Sequence, residues 1–188
     1  MRVIAGTFKG RRLEAPTWEG LRPTSDKLRE TLFNVLASNV VGARVVDGFA
    51  GTGAVGIEAL SRGAREAVFI ERDPRAVALI RENLAHCGIR EGYAIIRAPF
   101  GLGVRELAAR PAFVPFDIVL LDPPYHADRR ADAVAGVLQD AGALVAPGGL
   151  VALEHRRLQE TPASVGRLVR SRTIVSGDSA LSLYTVTL

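Results

Sequence analysis

The stretch FDIVLLDPPYH, residues 116–126, carries an apolar run into an acid, two prolines and a tyrosine. Asp122-Pro123-Pro124-Tyr125 has the parts needed to handle an exocyclic amine on a nucleobase. Such an amine is a poor nucleophile because its lone pair is delocalised into the ring, and its nitrogen must move towards tetrahedral geometry before it can attack a methyl donor. A carboxylate accepting one N–H and a backbone carbonyl accepting the other would orient the amine and favour the more positive nitrogen of the transition state. Asp122 is the candidate for the first acceptor and the carbonyl of Pro123 for the second. Successive prolines fix φ and offer no competing N–H. Tyr125 offers a ring face on which a base can stack, worth on the order of 1–3 kcal/mol, although a base in folded RNA or a duplex must first be extruded. The plain alternative is a strand-ending turn, since Asp and Pro both favour turns.

A second group lies upstream. Gly51-Thr52-Gly53-Ala54-Val55-Gly56 fits G-x-G-x-x-G, with Asp47 before it and Glu71 twenty residues after Gly51. Two cofactor classes share this layout. In a dinucleotide enzyme the glycines admit a pyrophosphate at a helix N-terminus, and the later acid accepts hydrogen bonds from ribose hydroxyls. In an S-adenosylmethionine enzyme the same acid holds the ribose, but the loop wraps a methionine moiety that carries no phosphate. Asp47 favours the second class, because it would repel a pyrophosphate and can position an ammonium group. A tight strand-to-helix turn with no ligand is the third reading.

The elements that must position these residues alternate strand and helix. Residues 2–5 and 11–13 read as a small β-hairpin around GTFKG. Thr24 or Ser25 is a candidate N-cap for a helix to about Ser38 with Leu28, Leu32, Val35 and Leu36 on one stripe. RVVDGFAGTGAVGIEALSRGA reads as strand, glycine turn and helix ending before Gly63. EAVFIERDP is a strand, followed by a helix with Pro74 in its first turn and Gly88 at its close. GYAIIRA is a third strand, GLGVRELAAR a short helix, and FDIVLL a fourth strand apolar on both faces. DRRADAVAGVLQDAGAL is a helix, GGLVALEH a fifth strand, and RLVRSRTIVS and ALSLYTVTL a closing antiparallel pair. Strands spaced by helices predict a parallel sheet covered on both faces. Ligands of such sheets bind beyond the carboxyl ends of the strands, so Asp47 and Asp122 are expected at one crevice.

Bulk properties narrow the function classes. With 188 residues, 48% hydrophobic and 23% charged, the chain suits one globular domain, 1–188, large enough for a substantial core. Neither an apolar run of about 18 residues nor a signal-peptide pattern is present, which predicts a cytoplasmic protein. Cys87 is the sole cysteine, so no intramolecular disulfide or cysteine metal cluster can form. It reads as a small helix-side hydrophobe, poorly placed to be a carbon-methylating nucleophile. The spacing of the three histidines suggests no metal site. His86 reads as structural, His155 as a packing residue that could also line the crevice, and His126 as a candidate RNA contact. Net charge is +4, and the first thirty residues hold seven basic against four acidic side chains. These could neutralise nucleic-acid phosphates, or form only a solvated basic face. Of the 24 basic residues 22 are arginine, which suits bidentate phosphate contacts.

These motifs resemble the class I methyltransferases, and more closely the RsmD-type family, which methylates the exocyclic N2 of a guanine in bacterial 16S ribosomal RNA. The resemblance covers nearly the whole chain: RVIAGTFKGRRL, LRPTSDKLRETLFNVL, DGFAGTGAVGIEALSRGA, LLDPPY, LVALEH and SGDSALSLY. It implies a Rossmann-like α/β fold: a seven-stranded, mostly parallel sheet with a C-terminal antiparallel strand and helices on both faces. The hairpin and helix of residues 1–40 would form an RNA-facing extension of a catalytic core at 41–188. By resemblance Asp47, Phe49, Gly51, Gly53, Glu71 and Arg72 would contact S-adenosylmethionine, and Asp122, Pro123, Pro124 and Tyr125 the guanine. Arg2, Lys9, Arg11, Arg12 and Arg22 would grip 16S ribosomal RNA within a partly or fully assembled small subunit, the enzyme acting as a monomer. The sequence departs from the family twice. Gly48 stands where relatives carry a larger apolar residue, which predicts a looser loop, and Arg97-Ala98-Pro99 lacks the acid that often meets the adenine amino group. Asp-Pro-Pro-Tyr is shared with DNA adenine-N6 methyltransferases, but the span between Gly56 and Asp122 has room only for core strands and helices, with no large target-recognition insert. A nicotinamide oxidoreductase leaves Asp-Pro-Pro-Tyr unexplained, and a non-catalytic RNA-binding module leaves Asp122 and Glu71 unexplained.

Overall fold

The computed structural model describes residues 1–18, 26–124 and 131–187. Among them, eight strands form one sheet in the order β3-β2-β1-β4-β5-β8-β7-β6. The strands are β1 (Arg44–Asp47), β2 (Glu66–Ile70), β3 (Tyr93–Ile96), β4 (Phe116–Leu121), β5 (Val145–Arg156), β6 (Ser164–Val165), β7 (Leu168–Ser176) and β8 (Ser179–Val186). β1 to β5 run parallel, and β8 lies antiparallel between β5 and β7. This is the expected Rossmann-like sheet with one addition: the two-residue β6 pairs with the start of β7 and makes the eighth strand.

Helices α1 (Asp26–Leu36), α2 (Ala54–Ser61), α3 (Pro74–His86), α4 (Phe100–Ala108) and α5 (Ala131–Leu144) cover both faces. The period-2 alternation of strand side chains decides which face each residue serves. On β4, Val119 and Leu121 join the core with α4 and α5, whereas Ile118 and Leu120 join Leu28, Leu32, Phe33 and Leu36 of α1. Each large apolar side chain buried in this way stabilises by roughly 1.5–3 kcal/mol. The order reverses between β1 and β4, whose connections leave to opposite sides, and a crevice opens at their carboxyl ends.

Several local rules are visible. Pro74 opens α3, and the Asp73 carboxylate caps it by accepting from the Arg75 N–H at 2.8 Å. Gly88, at φ +68°, closes it. The expected N-caps Thr24 and Ser25 lie outside the described residues. α1 stops at Leu36, two residues short of the expected end, and the chain tightens into a 3-10 turn at Ala37–Val40. The N-terminal hairpin is reduced to one antiparallel bridge, Arg2 to Arg12, because Gly6 and Gly10 turn the chain early in the left-handed region. No helix among the described residues is long and apolar enough to cross a membrane.

Candidate active site

The loop after β1 is built by backbone geometry and two acids. The Gly48 N–H donates to the Leu120 carbonyl at 2.8 Å and the Ala50 N–H to the Ile70 carbonyl at 3.1 Å, so the loop starts between β4 and β2. Gly51 and Gly53 then adopt φ of +53° and +78°, values that a side-chain-bearing residue adopts only with strain. Gly56 packs its α-carbon on the Phe69 ring, where a Cβ would come within 2.3 Å of a ring carbon. The Asp47 carboxylate accepts the Gly56 N–H at 2.9 Å. The Glu71 carboxylate accepts the Gly51 N–H at 2.8 Å and the Asp73 N–H at 2.9 Å. Asp47 is 4% exposed. Burial pushes its carboxyl up to about 7, with the charge of Glu71 adding to the rise and the Gly56 N–H opposing it.

The expected loosening at Gly48 does not occur. Phe100 and Leu121 occupy the space that a side chain at Gly48 would take, at 2.7 and 2.8 Å from an ideal Cβ. Phe49 lies 5.0 Å from the Phe100 ring, centroid to centroid. The loop is therefore filled from α4 and β4 rather than from its own sequence. Arg72 is exposed beside Glu71. Beyond β3, the Ala98 N–H is held by the Glu71 carbonyl at 3.1 Å.

Asp122 directly follows β4, half-buried, with Pro123 buried and Pro124 exposed. Tyr125 and His126 lie outside the described residues. Asp47, Asp122 and Glu154 line one narrow cleft with Leu28, Leu32, Val55 and Leu181. Alternation from Val45, Leu120 and Ala152, all in the cluster under α1, puts the three acids on one face of three adjacent strands. Glu154 is the addition that reading along the chain missed. Its signal, the period of two from Ala152, was present, but the neighbour that gives it meaning comes from the pairing of β5 with β4. Leu28 and Leu32, on the apolar stripe of α1, are buried and also form a wall of this cleft.

The basic residues divide. Arg2 and Arg12 are exposed and face each other across the hairpin bridge. Arg2 and Lys9 line a hollow of about 410 Å³ with Lys27, Asp26 and Glu30. Arg11 turns away, donating to the His86 carbonyl at 3.3 Å and stacking on Phe8. Arg22 lies outside the described residues. Arg29, one of the N-terminal charges, is no surface cation: it is fully buried and donates to the Arg2 carbonyl and to Asp26. Its Nε lies 3.8 Å from Glu58. Glu58, also fully buried, accepts the N–H groups of Ile4 at 2.8 Å and Ala5 at 3.0 Å and pairs with Arg62 at 2.8 Å. Asn83 makes a second tie, accepting the Glu14 N–H at 2.7 Å and donating to the Thr52 carbonyl of the glycine loop at 2.9 Å.

His86, Cys87 and His155 lie outside the cleft lining. His155 is buried and bonds Ser182 Oγ through Nε2 at 2.9 Å, away from the cleft. His86 is exposed, 3.9 Å from Glu14. Cys87 is buried, and desolvation pushes its thiol up, which keeps it protonated.

Comparison with known proteins gives a consistent result. The family model described as "Conserved hypothetical protein 95" matches residues 1–185. The chain is 37% identical over 184 residues to ribosomal RNA small subunit methyltransferase D of Escherichia coli K12, covering 98% of this chain and 89% of that one. It is 37% identical over 138 residues to the protein of the same name from Haemophilus influenzae, covering 72% and 69%. A solved structure of a hypothetical protein from Thermus thermophilus superposes with a TM-score of 0.82 at 34% identity, over 99% of both chains.

Proposed function

The chain belongs to the RsmD-type family of methyltransferases, and from that premise we propose that it moves a methyl group from S-adenosylmethionine to the exocyclic N2 of a guanine in 16S ribosomal RNA. One juxtaposition carries the reading: Asp47 of the glycine loop and Asp122 of the Asp-Pro-Pro run line the same cleft at the carboxyl ends of adjacent strands. The whole chain acts as one unit on this reading, a cytoplasmic monomer whose residues 1–40 face the RNA.

The residues suit that cofactor. Asp47 has lost most of its hydration, and its carboxyl is pushed up to about 7. A cationic group beside it relieves this cost, whereas a pyrophosphate raises it. Glu71 holds two backbone N–H groups and, as a carboxylate with about four acceptor sites, still has room for ribose hydroxyls. When bound, S-adenosylmethionine supplies an electrophilic methyl on a sulfonium. The chain's own part is orientation. Asp122 accepts one N–H of the target amine, the Pro123 carbonyl accepts the other, and Tyr125 stacks on the base. The proton leaves the methylated nitrogen for solvent, so no obligatory base is required. Arg2 and Arg12 repel each other across the hairpin, as like charges on opposed strand positions do, and RNA phosphate relieves that repulsion. Arg22 extends the grip, whereas Arg11, tied to the His86 carbonyl, is left out of it.

The test is to incubate the protein and radiolabelled S-adenosylmethionine with unmethylated small-subunit particles, protein-free 16S RNA and unmethylated DNA, then identify the labelled nucleoside. N2-methylguanosine from RNA is expected, and label in N6-methyladenosine or in DNA overturns the substrate. Asp122→Ala is expected to bind S-adenosylmethionine normally and to lose about 100-fold or more in turnover; full activity in that variant refutes the role given to Asp122.

A further inference from the structure

The register of β4 and β5 pairs Leu120 with Ala152 and Leu121 with Leu153. Asp122 and Glu154 are therefore level on neighbouring strands, which lie about 4.8 Å apart. Both line the same cleft, with Leu181 of β8 next to Glu154 in the sheet and Leu28 and Leu32 of α1 facing them. The Ser179 hydroxyl lies 3.4 Å from Glu154 Oε1, and a carboxylate offers about four acceptor sites in all.

We infer that Glu154 selects guanine by accepting the ring N1–H while Asp122 accepts from the N2 amine beside it. This rests on the methyltransferase reading above and adds the basis of base choice. On the Watson–Crick edge of guanine, the N1–H and the N2 amine are adjacent donors, which two acceptors side by side can take together. Adenine and cytosine place a ring-nitrogen lone pair next to their amine, and a carboxylate repels it. Asp122 alone serves any exocyclic amine; the pair serves guanine. A hydrogen bond to a carboxylate in a partly dry cleft is also among the stronger ones.

The test uses the full-length protein and 16S RNA carrying either guanine or 2-aminopurine at the labelled position. 2-Aminopurine keeps the N2 amine but bears a bare acceptor at N1. The wild type is expected to prefer guanine. E154A is expected to lose about 10- to 100-fold in kcat/KM on guanine, the range of one charge-assisted hydrogen bond. E154Q can turn an amide N–H towards a bare N1, so its ratio of 2-aminopurine to guanine methylation is expected to rise about 10-fold or more. Unchanged affinity for S-adenosylmethionine in both variants reports an intact fold, and the nearly isosteric E154Q keeps the test open if E154A does not fold. If wild-type protein gives N2-methylguanosine and neither variant changes the base ratio, the role of Glu154 is overturned alone. If wild-type protein gives no N2-methylguanosine, the parent reading falls with it.

Discussion

Asp47 shows how a single buried residue can work against stability. Its carboxyl rises from 3.8 to about 7, chiefly because it is buried. In the unfolded chain it ionises near pH 4, so between about pH 4 and 7 the folded protein holds a proton that the unfolded one has released. Stability from this group is therefore present at low pH and is lost as pH rises through that window. Asp47→Asn never ionises and can still accept from Gly56. Its stability relative to wild type should grow between pH 5 and pH 8, with a ceiling of about 4 kcal/mol set by the size of the rise. Urea unfolding at the two pH values checks this, and a constant difference refutes it. Asp47, Glu71 and the glycines could be read along the chain because a strand, a tight turn and a helix are local events. Glu154 could not, since its partner Asp122 is a neighbour only through sheet register.

At the scale of elements, the N-terminal hairpin and α1 are welded to the core through buried charge. Glu58 of α2 holds the hairpin backbone at Ile4 and Ala5 and compensates Arg29 of α1, whose Nε and Nη1 are buried without hydrogen-bond partners. Removing one member of a buried pair leaves the other charge stranded. Glu58→Gln is expected to cost about 3–5 kcal/mol, and Arg29→Met combined with it should recover much of the loss. A double-mutant cycle by chemical denaturation tests this; strictly additive losses refute the pairing. Along the chain Arg29 looks like any solvated helix cation, one position from the apolar stripe. It is buried because the hairpin closes over it, and nothing in the local spacing signals that. The cleft is narrow, and its wall includes Leu28 and Leu32 of α1. Base entry on the proposed reading therefore requires those side chains to yield.

For the molecule as a whole, the net charge of +4 matters less than where it sits. Arg2, Lys9 and Arg12 are exposed on the hairpin, whereas Arg11 and Arg29 are committed to α3 and to the core. If the three exposed residues meet phosphates, replacing all three with alanine should flatten the dependence of log K for 16S RNA on log salt. Each phosphate no longer neutralised makes the slope shallower by about 0.7–0.9. Affinity for S-adenosylmethionine should not move. An unchanged salt slope would place the RNA elsewhere.

Period and punctuation, both local, determined the alternation of strands and helices, the glycine turn, the caps of α3 and the identity of two acidic motifs. The fold class followed from these, and the family from the resemblance of whole stretches of the chain to known methyltransferases. Tertiary structure decided what depends on contacts distant in sequence: the short eighth strand, the filling of Gly48 by Phe100, the burial of Arg29 and the row of Asp47, Asp122 and Glu154. The physical reason is that helix and turn preferences act within a few residues, whereas register and burial are set by which surfaces meet. Residues 47, 122 and 154 become neighbours only when β1, β4 and β5 pair side by side in the sheet.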